Sequence, residues 1–150
     1  MDLVINTSNI LKSLEENLTS DVRTAKMLIK RMGIANADPR LAQTGWVGLY
    51  ADALSLGPHT LGSGSRNWDT THTFRVIVQA VHRADPAQAH ERLEAYVKDV
   101  LDVVLEDKTL KASVDTLDGI QITYQFFEED RDSMHFEGAL ISLQFSGRTR

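Results

Sequence analysis

Histidine is the side chain best suited to move protons near neutral pH or to bind a transition metal. The chain has five: His59, His72, His82, His90 and His135. None falls into an HExxH or His-x3-His spacing, which would set two ligands on one helix face. His72 and His82 share a strand face by the two-residue period. They lie about 33 Å apart at ~3.3 Å per residue, too far to share an ion. His59, Asp69 and His72 would converge only if the intervening loop folded back, and loop histidines more often face water. Gly62-Ser63-Gly64-Ser65 has the small residues of a phosphate cradle. No Lys-Ser/Thr follows it, and it precedes a strand where phosphate loops open a helix. No Gly-x-Ser-x-Gly elbow occurs. The carboxylate pairs Glu15-Glu16 and Glu128-Glu129 lack the apolar surroundings that raise a pKa for acid–base work. With no cysteine, thiolate nucleophiles, disulfides and cysteine metal sites are excluded. We therefore expect no catalytic residues, no metal and no cofactor. An enzymatic or ligand-binding reading would rest on His59 and Asp69 in a site between the loop and a sheet.

The remaining informative residues are those that recognise other proteins. Two β-like runs, Trp46 to Leu54 and Thr73 to His82, flank a polar run from Gly57 to Thr71. Hairpin loops in compact domains are usually about 2–5 residues, and long ordered loops tend to carry function. Pro58, His59, Thr60, Leu61, Arg66, Asn67 and Trp68 are the candidate contacts of such an arm. Tryptophans often anchor interfaces. Trp46, within a strand, reads as core, while Trp68, in a polar loop, suits either role. Charge is unevenly spread. Residues 23–40 carry five basic side chains against one acidic, +4, with Arg23, Lys26, Lys30 and Arg31 as a candidate basic patch. Residues 106–132 carry three basic against eight acidic, −5, ending in Glu128, Glu129, Asp130 and Asp132. Such asymmetry can orient partners, or can equally be two solvated faces of a monomer.

The elements that must position these residues read as helix, strands, helix, strands. Ile10, Leu11, Leu14 and Leu18 recur at helical spacing, and so do Val22, Ala25, Leu28, Ile29 and Met32. Ser8 or Asn9 is placed to cap the start and Gly33 to stop the end. Thr19-Ser20-Asp21 interrupts the stripe, so one rod and two pieces both remain open. Asp85-Pro86-Ala87-Gln88 is a helix start, and an apolar face from Ala89 to Val104 predicts a helix over 86–105. In the second strand Phe74, Val76, Val78 and Ala80 share one face and Ile77 and Val81 the other, as in a central or doubly covered strand. Asp118-Gly119 predicts a tight hairpin between strands 111–117 and 120–127. The apolar phase of the last strand, Met134 to Phe145, shifts near Gly138, which predicts a bulge there. The whole is α+β: a mostly antiparallel sheet with two main helices on one side and a long β–β loop.

At 150 residues the chain suits one domain spanning 1–150. A domain of that size buries roughly 68–70% of its unfolded surface, enough for a core without staples. A net charge of −5 disfavours a general nucleic-acid binder. No run approaches the ~20 apolar residues of a membrane span. The start, Met1-Asp2-Leu3-Val4-Ile5-Asn6, lacks the marks of a signal peptide, so Asn6-Thr7-Ser8 and Asn17-Leu18-Thr19 read as chance glycosylation matches.

This order of parts resembles the tail terminator, or tail-completion, proteins of long-tailed bacteriophages. The likeness lies in the first helix, the strand 46–54, the loop 57–71, the strand Phe74-Arg75-Val76-Ile77-Val78, the capped helix 86–105 and the closing β-meander. It covers nearly the whole chain as pattern and size, without a short diagnostic motif, and is weakest over 20–45. The resemblance implies a homo-oligomeric ring, of six copies in that family, on the head-proximal end of the tail tube. There it ends tube polymerisation and offers a docking surface to the head connector. DNA passes through the lumen without specific binding. Location would be the tail or neck of the virion, after assembly in the host cytoplasm. On that reading the basic 23–40 and acidic 106–132 segments meet between subunits, and Glu128, Glu129, Asp130 and Asp132 line the lumen. Another head–tail adaptor or a tube-like subunit is the alternative.

Overall fold

The structure, a computed structural model, describes residues 6–31, 45–58, 68–82, 86–110, 114–127 and 135–149. The elements run α1 (Thr7–Ser20), β1 (Leu28–Arg31), β2 (Trp46–Pro58), β3 (Trp68–His82), α2 (Pro86–Glu106), β4 (Thr116–Phe127) and β5 (His135–Thr149). The strands form one sheet in the order β1-β2-β3-β5-β4. The β1–β2 pair is parallel and the other three pairs are antiparallel. The fold is thus the expected α+β arrangement, with β3 at the centre.

α1 buries Ile10, Leu14 and Leu18, the stripe its sequence shows. Its cap is not Ser8 or Asn9. Asn6 occupies that position without a side-chain cap bond, and its carbonyl accepts the Ile10 N–H at 3.1 Å. The helix stops at Ser20, and the helical periodicity from Val22 onward is misleading. The Asp21 carboxylate accepts the Arg23 N–H at 2.9 Å, closing a local turn. The buried Thr24 hydroxyl donates to the Leu18 carbonyl, satisfying one of the acceptors a helix end leaves free. Val22 is consequently 87% exposed. Leu28 and Ile29 belong to the parallel strand β1, paired with Trp46 and Val47. Met32 and Gly33 lie outside the described residues.

α2 starts at Pro86 as expected and runs one residue beyond the expected end, to Glu106. Asp85, its expected cap, lies outside the described residues. Ala89, Leu93, Val97, Val100, Val103 and Val104 are buried. Both helices pack on one face of the sheet, α1 over β1 and β2, and α2 over β3 and β5. They cover Val47, Leu49, Phe74, Val76, Val78, Ala139, Ile141 and Leu143, which form one continuous core with the helix residues. Strand β4, at the rim, lies beyond the main helix packing. On the opposite face Trp46 and Gln79, cross-strand partners, are also buried.

Three expectations about the strands are corrected. The connection between β2 and β3 is shorter than the polar run implied, because both strands continue into it. Pairing extends from Trp46↔Gln79 to Pro58↔Trp68. Asp118-Gly119 makes no hairpin turn; the register of β4 against β5 slips between Leu117 and Gly119, so Asp118 is a bulge inside one strand. β5 passes Gly138 in unbroken register with β3 and β4, with no bulge there. The apolar pattern breaks because Glu137, a buried acid, takes the helix-side position that precedes Ala139.

Candidate assembly surface

The first feature is an arm. Beyond Ser55, Thr71 and Ser146, the last row that includes β4, the strands β2, β3 and β5 continue as a three-stranded ribbon. Its geometry starts at a bulge in β2, where the register shifts between Ala51 and Ala53. The extra residue, Asp52, moves later side chains to the other face. Its carboxylate holds the Arg75 guanidinium at 3.1 Å. Leu54 and Leu56 therefore follow Leu49 on the helix side. Leu56 pairs with Thr70, and Trp68 with Pro58, so Leu56 and Trp68 are diagonal neighbours on that face. Each is 39% exposed. Of the expected arm contacts, Pro58 and Trp68 form the last described pair of the ribbon, and Trp68 is strand rather than loop. His59, Thr60, Leu61, Arg66 and Asn67 lie outside the described residues.

The basic patch is partly consumed within the chain. The Arg23 guanidinium holds Asp21 at 2.9 Å and Glu106 at 2.6 Å. These bonds push the Arg23 pKa further up, and the Arg23 side-chain hydrogen bonds hold the Asp21 carboxyl down at about 2. Arg31 holds Glu15 at 2.9 Å. Lys26 lies in the exposed turn after α1, and Lys30 is exposed on β1. One acid of the 106–132 segment is thus satisfied by one base of the 23–40 segment in the same protomer. This reduces the charge both could offer a neighbour. Glu128, Glu129, Asp130 and Asp132 lie outside the described residues.

The acid–base groups do not form a reaction centre among the described residues. His72 and Asp69 fall on opposite faces of β3. His72 is buried, stacked on Phe74 with 5.9 Å between centroids, and burial pushes its imidazole pKa down. Asp69 faces Arg148 at 3.5 Å. No group of three or more His, Asp or Glu side chains among the described residues is placed to hold a metal ion. The sequence reading passed over one polar cluster. On α2, His90 reaches Glu137 through Nδ1 and Glu94 through Nε2, each at 2.9 Å. The Glu137 hydrogen bond, with the charge of both acids, pushes the His90 pKa up. The acids grip opposite nitrogens of the ring, so the cluster ties α2 to β5. Four-residue spacing hinted at Glu94, but nothing local to His90 points to Glu137.

No protein-family model and no curated protein matches the sequence. Among solved structures, one chain described as "Virion of native gene transfer agent (GTA) particle" is similar in fold, with a TM-score of 0.52 and 14% identity. The match covers 96% of this chain and 100% of that one. At that identity the likeness is one of fold.

Proposed function

We propose that this chain is a single-domain structural protein of a virion. It assembles into a ring that caps the head-proximal end of a tail tube, stops tube growth and presents a docking surface to the head connector. The observation that carries the reading is the three-stranded arm with Leu56 and Trp68 exposed on one face. A partly exposed apolar pair at the end of a ribbon suits an anchor for another chain. The fold of a virion chain over nearly the whole length supports the class, and the order of elements supports the station at the tail end. The ring needs two different complementary patches per subunit. Partners are copies of itself, the tube protein and the neck proteins, with six copies taken from the terminator resemblance. DNA threads the lumen without specific contact.

The test is to add the purified chain to polymerising tail-tube protein. Tube length and the oligomeric state of the chain would then be followed by negative-stain microscopy and light scattering. The expected result is an annulus and a cap on tube length. A chain that stays monomeric and leaves tube length unchanged overturns the reading. Self-polymerisation into tubes would instead identify a tube-like subunit.

A further inference from the structure

The two edges of the sheet differ in a way that selects a partner. β4 is a terminal strand, hydrogen-bonded among the described residues to β5 alone. Long edge strands are usually guarded by lysine, proline or inward-pointing charge, because their free N–H and C=O groups recruit other strands. Thr116–Phe127 contains no lysine, arginine or proline, and its one charged residue is Asp118 at the bulge. Its helix-side face is covered only in part: Ile122 packs against the core and Tyr124 meets the His90 ring of α2, yet Ile120 is 37% and Tyr124 44% exposed. Gln121 and Thr123 are exposed and uncharged. The opposite edge, β1, is short and carries the exposed side chains of Lys30 and Arg31.

We propose that the β4 edge receives the β1 edge of a second copy of this chain, so that the sheet continues from protomer to protomer; this rests on the ring reading above. Strand direction supports the pairing. β1 and β2 run together, and β3, β5 and β4 alternate after them, so β1 and β4 are opposed within one protomer. Repeating the sheet without inversion therefore sets the neighbour's β1 antiparallel to β4, the more stable pairing. β1 has 4 residues against the 12 of β4, and charge selects the register that sets the end of β1 against the start of β4. Lys30 and Arg31 then approach Asp115 and Asp118, both exposed, while Ile29, on the helix side with Val47, falls beside Ile120. Arg31 keeps its contact to Glu15, so Lys30 is the cleaner probe. The contact is heterologous, as ring closure requires. A four-residue strand makes it weak singly, and closure of the ring makes it persist.

The test uses the full chain and charge reversal with rescue. Lys30→Asp alone and Asp118→Lys alone should each lower the assembled fraction at a fixed concentration about tenfold. The double variant should recover most of it, with far-UV circular dichroism unchanged throughout. Hydrogen exchange across 116–127 should slow in the ring relative to the dissociated protomer. Rings with single variants assembling like wild type, or with unaltered exchange of 116–127, would overturn the edge pairing and leave the ring intact. A wild-type chain that forms no ring, alone or on tubes, would overturn both.

Discussion

At the scale of single residues, the cluster around His90 is the clearest case of a side chain whose protonation state the fold sets. The ring faces Glu137 from β5, Glu94 from its own helix, and the Tyr124 ring of β4, whose centroid is 6.1 Å away. Glu137 is buried on the helix side of the sheet, so removing its partner would leave a desolvated acid without that bond. The His90 pKa is raised, chiefly by the Glu137 hydrogen bond. A raised pKa in the folded state means that charged His90 stabilises the fold. That contribution is complete below the ordinary imidazole value of about 6.5 and is lost as pH rises through the higher folded value. His90 is also substantially solvent-exposed, so screening trims the effect. Thermal midpoints of wild type and His90→Gln, measured on both sides of that value, should show wild type ahead at low pH. The gap should close as pH rises. A gap independent of pH would mean that His90 acts only by packing.

At the scale of elements, Gly45 shows how little space separates β2 from α2. Its φ is +104°, a region side chains rarely adopt, and a Cβ there would lie 2.9 Å from Cε2 of Tyr96. Its carbonyl also accepts the Leu28 N–H at 3.0 Å, anchoring the start of β1. Gly45→Ala should cost about 1–3 kcal/mol from the backbone alone. Adding Tyr96→Ala should not restore the loss, because the strain in φ remains; equilibrium urea denaturation checks both. Much of the element pattern was legible in the sequence. The run from Asp85 to Gln88 marked α2 to within a residue, and the alternation in Phe74–Ala80 marked the central strand. What failed depended on partners distant in the chain. Leu28 and Ile29 fit a helical stripe as well as a strand, and pairing with Trp46 and Val47 decides between them. Asp-Gly suits a tight turn and a bulge alike, and continuous pairing of both its flanks to β5 selects the bulge. The assembly surface was legible only in part. Trp68 stood out as an aromatic among polar residues, but Leu56 joins it only through the bulge at Asp52, which no local signal announces.

At the scale of the whole molecule, the question is which surface would drive association. Charge was the obvious candidate in the sequence, yet Arg23 is bridged to Glu106 and Arg31 to Glu15 inside one protomer. Those pairs are already neutralised and sit at the surface, where such bridges contribute about 0–1 kcal/mol. The arm is different in kind. Leu56 and Trp68 sit at the margin of the core, each still 39% exposed, so Leu56→Ser and Trp68→Ser should each cost on the order of 1 kcal/mol of folding stability. A tryptophan buried at the centre of an interface commonly contributes about 2 kcal/mol or more to binding, roughly a thirtyfold change in affinity. The double variant should therefore stay folded with a lowered thermal midpoint and lose association, with the dissociation constant for ring or tube-end binding rising at least about thirtyfold. Analytical ultracentrifugation of the chain, and binding to pre-formed tubes, read the two losses separately. Loss at the tube end with intact rings would place the arm against the tube, whereas loss of the ring itself would place it between subunits. A variant that assembles and caps as wild type does would remove the arm from the assembly surface and leave the free edge of β4 as the remaining apolar contact.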